Sequence, residues 1–312
     1  QSFSRRFLLW ADVLDPLLLL KSSDEIKRAR LLIQTKEKTL SEPLRNNQVF
    51  WSAVKVLTQS SVHPDTNNVI PILFRPPGNC LFFFYFYGSP GLNAGFIVPC
   101  SLLFLQFVFH SYTTAFTLLN GNGTPKAEEY SLQQKQMFYG LGAISYAACV
   151  GALPLIFMNR YTLKSPLTQL IVKKLLPAPL LGLTSAFTAA VVRSPEFEHG
   201  IEVMDRNGKV VGVSRNAGEK AVRETALSRA VLFGTSFLLP EALVHLVQRA
   251  KLVKNPRALA AVRLFLITSV LAGMVPVSLS MFSQCGEIKR ADLEPEILSL
   301  TEETELFYNR GV

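Results

Sequence analysis

Six polar side chains interrupt one of the most apolar stretches of this chain. Gln106, His110, Ser111, Thr113, Thr114 and Thr117 fall in a run otherwise dominated by Leu, Phe and Val, and their spacing puts them on overlapping faces of a helix. In hydrocarbon such groups must turn inward, either to bond neighbouring helices or to line a path for a polar solute. The pattern favours neither use. A second pair, Glu241 and His245, stands one helical turn apart beside Pro240. An acid and an imidazole so placed suit proton coupling, and equally a structural i, i+4 bond or a seat near the interface. Arg263, at the start of the next apolar run, reads as an anchor whose stem snorkels to the headgroups.

A third group, His63-Pro64-Asp65-Thr66, collects an imidazole, a carboxylate and a hydroxyl. Its leading reading is a turn in which Asp65 caps the next element, with substrate contact as the alternative. No catalytic residues are expected: there is no Walker loop, no GxGxxG after a strand and no Ser/His/Asp set, so the chain does not read as an enzyme. The four cysteines, Cys80, Cys100, Cys149 and Cys285, lack CxxC spacing and imply neither a disulfide framework nor a metal site, and no cofactor is implied. Basic residues form no aromatic-interleaved stripe, so nucleic acid is not an expected partner. Asn122-Gly-Thr124 matches the glycosylation acceptor, a pattern common by chance, and no glycan is expected.

These groups need a scaffold that takes them out of water. Of the 312 residues 49% are hydrophobic, mean hydropathy is +0.26, and the apolar residues come in blocks of about twenty, the length that spans a bilayer of ~30 Å. The fold class expected is an all-α membrane protein with the lipid bilayer as its first partner. Residues 1–90 read as a soluble helical N-terminal region, with Ser22 and Glu25 forming a capping box and a second helix over Gln48 to Thr58. Within it, Cys80 to Tyr87 is a candidate re-entrant segment. Arg5 and Arg6 precede an apolar run that Asp12, Asp15 and Pro16 cut short, so no secretory signal is expected.

Residues 91–284 read as a five-span domain, with spans at about 96–118, 138–158, 175–192, 230–247 and 262–282. The polar loop 193–229 should hold a small β-hairpin around Asp205-Arg-Asn-Gly208, then a helix over Gly218 to Arg229. Residues 285–312 read as an acidic soluble tail. Net charge is +9, and its placement matters more than its size. Arg160, Lys164, Lys173 and Lys174, then Arg249, Lys251, Lys254 and Arg257, fill the second and fourth connections without an acid. Together with the basic N-terminal region they fall on one face of a five-span model, which puts the two ends on opposite sides.

Taken together, these residues resemble the sideroflexin family of mitochondrial inner-membrane carriers, nearly end to end. The landmarks are Asp15-Pro16, His63-Pro64-Asp65-Thr66, the hairpin Asp205-Arg-Asn-Gly208, Asn216-Ala217 before Ser228-Arg229, and Phe307-Tyr-Asn-Arg-Gly-Val312. The resemblance implies an uncleaved inner-membrane protein of about five spans, with its N-terminus in the matrix and its C-terminus in the intermembrane space. Members that move serine carry Gln-x-x-Asn-Gln-Ser-x-Asn in the first span. This chain keeps Gln106 and Ser111 but has Phe109, His110 and Thr113 at the intervening family positions. A phenyl ring offers a zwitterion neither donor nor acceptor, which argues against serine. Glu241 and Ser283 are further departures.

That divergence is similar to the outlying branch of the family associated with respiratory complex I assembly and iron-sulfur homeostasis. Two functions follow from the resemblance. In one, the chain keeps the carrier fold but serves assembly of complex I, with assembly factors as partners. In the other, it carries a small amino acid of altered selectivity, with Gln106, His110, Ser111, Glu241 and His245 lining the path.

Overall fold

The computed structural model describes residues 2–34, 48–63, 67–79, 82, 99–121, 130–160, 165, 168, 176–253 and 255–311. Pro64, Asp65 and Thr66, the acceptor Asn122-Gly-Thr124, and all of Cys80 to Tyr87 but Phe82 therefore lie outside the described residues. Helix α1 (Phe3–Val13) leads into a 3-10 turn, Pro16–Leu20, whose first turn Asp15 caps by accepting from Leu17 N at 2.9 Å. The Asp15-Pro16 landmark is thus a cap followed by a residue with no amide to satisfy. Helix α2 (Ser23–Gln34) opens on the expected capping box: Glu25 N donates to Ser22 Oγ and Ser22 N donates to Glu25 Oε2. Helix α3 (Gln48–Ser61) packs against α1 and α2.

Helices α4 (Pro99–Asn120), α5 (Tyr130–Arg160) and α6 (Pro177–Val192), a short α7 (Pro195–His199), and the long α8 (Arg215–Arg249) and α9 (Pro256–Ser280) follow. They cover the positions of the five expected spans. Two of them, α8 and α9, are long and apolar enough to cross a membrane, while Met137–Leu153 and Pro177–Val192 are apolar but shorter. Only 11% of the most apolar stretch of α9 is buried, the reverse of what the central helix of a water-soluble core would show. Such an outward apolar surface is compatible with lipid, which unlike water does not penalise it.

Small residues set the helix packing. A side-chain carbon at Gly182 of α6 would sit 2.7 Å from Ala230 O of α8, so only glycine allows the two backbones to approach there, as in membrane helix pairs generally. The core between them gathers Phe109, Leu181, Leu232, Phe233, Leu271 and Val275.

The polar loop and the tail differ from expectation. Strands β1 (Ile201–Met204) and β2 (Val210–Ser214) form the predicted hairpin. Its turn is not the Asn-Gly type with two positive φ values. Only Gly208 has positive φ (79°), and Asp205 Oδ1 accepts from Asn207 N and Lys209 N, both at 2.8 Å. The expected helix Gly218 to Arg229 and the span that should follow it are one unbroken helix, because no breaker stands between them and Pro240 is absorbed inside it. The expected acidic soluble tail is a folded segment. Strands β3 (Cys285–Lys289) and β4 (Glu305–Asn309) join the hairpin in an antiparallel sheet of order β2-β1-β4-β3, with a short α10 (Pro295–Leu298) between them. Alternation drives this: Ile288, Leu306 and Tyr308 are buried while their neighbours are not. Gly286 is required there, since a side-chain carbon would fall 2.2 Å from the Tyr308 ring.

Arg6 Nε donates to Ser280 O at 2.9 Å, and α1 packs along α9. A cavity of about 480 Å3 is lined jointly by Trp10, Val13 and His63 of the N-terminal region and by Met204, Cys285 and Asn309 of the sheet.

The sheet fixes the start of α8 through Glu294. Its Oε1 accepts from Arg215 N (2.7 Å) and Asn216 N (2.9 Å), and its Oε2 from Ser214 Oγ. Burial alone would raise the Glu294 pKa, but the amide and hydroxyl bonds outweigh it and hold the carboxyl below its ordinary 4.5. A depressed carboxylate pKa contributes stability that is present above the ordinary value and lost as pH falls below it. Glu294→Gln should therefore destabilise the protein by about 1 kcal/mol at pH 7. The gap between variant and unaltered chain should close as thermal unfolding is followed down to acid pH.

Candidate functional site: a buried polar file along α4

Side chains of the N-terminal region hold the end of α4. His63 Nε2 lies 2.6 Å from Gly121 O, and since a carbonyl only accepts, Nε2 carries the proton. Tyr112 donates to Leu73 O, and Asn120 Nδ2 donates to Phe74 O. His63 is itself fixed by backbone bonds to Asn67 and Asn68, with Asn67 at φ 58°. His63 therefore clamps the end of α4, while Asp65, the residue expected to cap the next element, lies outside the described residues.

The clamp sets which face of α4 looks inward. Gln106, His110, Thr113, Thr114 and Thr117 are all buried, His110 completely, and recur at helical spacing over about 16 Å of axis. Thr113 and Thr117 spend their hydroxyl hydrogens on His110 O and Thr113 O. By contrast, Gln106 Oε1, both ring nitrogens of His110 and Thr114 Oγ have no hydrogen-bond partner among the described residues. Gln106 faces Gly151 of α5, where a side-chain carbon would come within 3.1 Å of Oε1. A buried polar atom left unbonded costs about 1–3 kcal/mol, so a file of them marks a surface kept ready for another polar partner.

Sequence reasoning missed the other wall of this file. Ser185 and Thr188 of α6 and Arg229 of α8 meet Thr113, Thr114 and Thr117 around a void of about 10 Å3. Arg229 is 4% exposed, and its guanidinium lies 5.0 Å from the Phe116 ring. A lone arginine beside an apolar run reads in sequence as a flanking anchor, and nothing local marks it as buried.

Arg229 belongs to a junction of three buried arginines. Arg193, at the end of α6, pairs with Glu196 through two bonds of 2.6 and 2.7 Å, and donates to Thr225 Oγ and to Arg310 O. Arg310, after β4, is 1% exposed and donates to Leu279 O. Burial lowers its pKa to about 10, with Glu224 opposing the shift, so it remains a cation near neutrality. The terminal landmark around Asn309-Arg310 is thus the plug of this junction.

The remaining candidates lie elsewhere. Ser111 is half-buried, on the neighbouring face of α4. Glu241 does not pair with His245: it forms an ion pair with Arg263 of α9, which is therefore a fastener between helices as well as a residue near the start of α9. His245 is exposed on α8.

Apolar helices wrapped around an inward polar file and closed at one end by a small antiparallel sheet define a helical membrane-protein domain with a polar interior. The sideroflexin family model matches residues 1–312, and the chain belongs to the sideroflexin family. All of the chain aligns with Sideroflexin-4 of Danio rerio at 44% identity, covering 96% of that protein. It aligns likewise with Sideroflexin-4 of Homo sapiens at 39%, covering 89%, and with human Sideroflexin-5 at 29%, covering 90%. No solved structure matches.

Breaking the Arg193 pair should be costly, because it strands a buried charge. Glu196→Gln is expected to lower stability by about 3–5 kcal/mol, the scale for an orphaned member of a buried pair. Thermal unfolding in detergent measures this, and a loss below about 1 kcal/mol, the range of surface pairs, would contradict the burial argument.

Proposed function

We propose that the chain is a multi-pass protein of the mitochondrial inner membrane that carries a small amino acid other than serine along the α4 file. The observation that carries this reading is the row of buried polar atoms on Gln106, His110 and Thr114 that have no partner among the described residues. A path for a polar solute needs such groups available. Membership of the sideroflexin family supports the location and the carrier class. The five helices α4, α5, α6, α8 and α9 serve as the spans, with the Glu241–Arg263 pair neutralising two charges that lipid would penalise singly.

The side chains argue for altered selectivity. Phe109 is fully buried and meets Phe233 edge-on at 5.1 Å, so it joins the apolar core and presents no amide to a solute. The same observation favours the second reading, in which the carrier architecture is kept while the chain acts in assembly of respiratory complex I and in iron-sulfur homeostasis. Similarity to proteins named Sideroflexin-4 supports it.

One assay separates the two. The full chain in liposomes is offered a panel of labelled amino acids. Carriage predicts uptake of at least one of them, cut about tenfold or more by His110→Leu, which corresponds to ~1.4 kcal/mol, and unchanged by His245→Gln. A flat panel sinks carriage. Under the assembly reading, His110→Leu restores complex I in cells lacking the protein as fully as the unaltered chain does.

A further inference from the structure

Three unspent hydrogen-bond donors meet where α4, α6 and α8 converge. Thr114 Oγ, Ser185 Oγ and Arg229 Nη2 are each buried without a partner among the described residues, and all three residues line the same void. The other hydroxyls around it are committed. Thr113, Thr117 and Thr188 donate to His110 O, Thr113 O and Thr184 O, so they offer only lone pairs.

The charge balance there is as lopsided as the hydrogen bonding. Among the described residues no carboxylate pairs with Arg229, and its surroundings include the cations Arg193 and Arg310 together with the Tyr112 phenol. Glu196 is engaged by Arg193, and Glu224 lies beside Arg310 and Tyr308. Three buried arginines thus face two carboxylates. A water molecule could bond the free donors, but it would leave the surplus charge uncompensated, which is the larger cost. The void of about 10 Å3 admits one water-sized atom, the size of a single carboxylate oxygen and somewhat less than a chloride ion.

We infer that this junction is an anion site, seating one carboxylate oxygen or one chloride ion against Arg229 Nη2, Thr114 Oγ and Ser185 Oγ. The guanidinium supplies the charge and the hydroxyls supply direction, as in charge-assisted anion sites elsewhere. Phe116 holds the guanidinium from its other face. If the solute of the α4 file is an amino acid, its carboxylate takes this seat. Binding itself does not rest on carriage, and the test reads binding alone, so a flat uptake panel would leave this inference standing.

The full chain, purified in detergent, is unfolded thermally in sodium chloride, sodium acetate or the sodium salt of a bulky sulfonate, at one ionic strength. The expected result is a saturable rise in Tm of roughly 5 °C at saturating anion, relative to the sulfonate. Thr114→Val and Ser185→Ala each weaken the midpoint concentration about tenfold, the scale of one bond to a charged group. Arg229→Lys weakens it as well, keeping the charge but losing the planar fork. These three variants keep the test open where Arg229→Gln fails to fold. A response to chloride marks a free inorganic ion, and a response to acetate alone marks the carboxylate of a solute. Equal Tm in all three salts overturns the inference, and so does a rise whose midpoint Thr114→Val and Ser185→Ala leave unmoved.

Discussion

A guanidinium taken out of water must find acceptors and opposing charge inside the fold, or it costs more than ordinary packing returns. This chain faces that demand three times at one junction, at Arg193, Arg229 and Arg310, and much of the architecture follows from how it responds. Arg193 at the end of α6 takes Glu196 as its ion partner and then reaches across to the carbonyl of Arg310, more than a hundred residues on. Arg310 can accept this bond only when β4 lies in the sheet. The last strand of the chain is therefore part of the lid over the ends of the helices, and the burial of Tyr308 against Gly286 locks it in register.

Helix α8 converts that junction into a long-range connection. It starts under the sheet, capped by Ser214 and Glu294, passes through the junction at Arg229 and ends at Arg249. A helix of this length is a stiff rod of about 50 Å, and its close contact with α6 at Gly182 leaves no room for sliding. Displacement of the sheet would tilt α8 as a body and carry Arg229 and Phe233 with it. The N-terminal region is tied to the same end through Arg6 on Ser280 O and His63 on Gly121 O. The ends of α4, α8 and α9 are thus held by one continuous polar cap.

What was legible in the sequence divides along the range of the forces involved. Local signals survived contact with the structure: the Ser22–Glu25 capping box, the strands flanking Asp205 to Gly208, and helices at the five apolar blocks. Each depends on residues within a few positions of one another. Long-range pairing was not legible. Nothing within a turn of Glu241 announces Arg263, since the titratable residue at helical spacing from it is His245. The acidic tail looked soluble because its charges alternate with Ile288, Leu306 and Tyr308, and alternation becomes a buried strand only once a partner strand is supplied from elsewhere. Arg229 shows the same limit most sharply. Its environment is assembled from three helices, and no residue near it in sequence reports them.

Helix α4 then explains how one chain can keep the carrier framework while changing what the framework offers. Neighbouring positions on a helix point about 100° apart, so Phe109 and His110 face different surroundings although they are adjacent. Phe109 meets Phe233 in the apolar core, whereas His110 looks into the polar file. A phenyl ring at 109 therefore removes an amide from the position best able to pack one away, while Gln106, His110 and Thr113 remain inward and buried. The file loses a donor and an acceptor without losing its continuity. An imidazole and hydroxyls present fewer hydrogen-bonding groups than a set of amides. A change of selectivity needs only this one face of α4 to change, and the clamps that hold the helix in place are untouched by it.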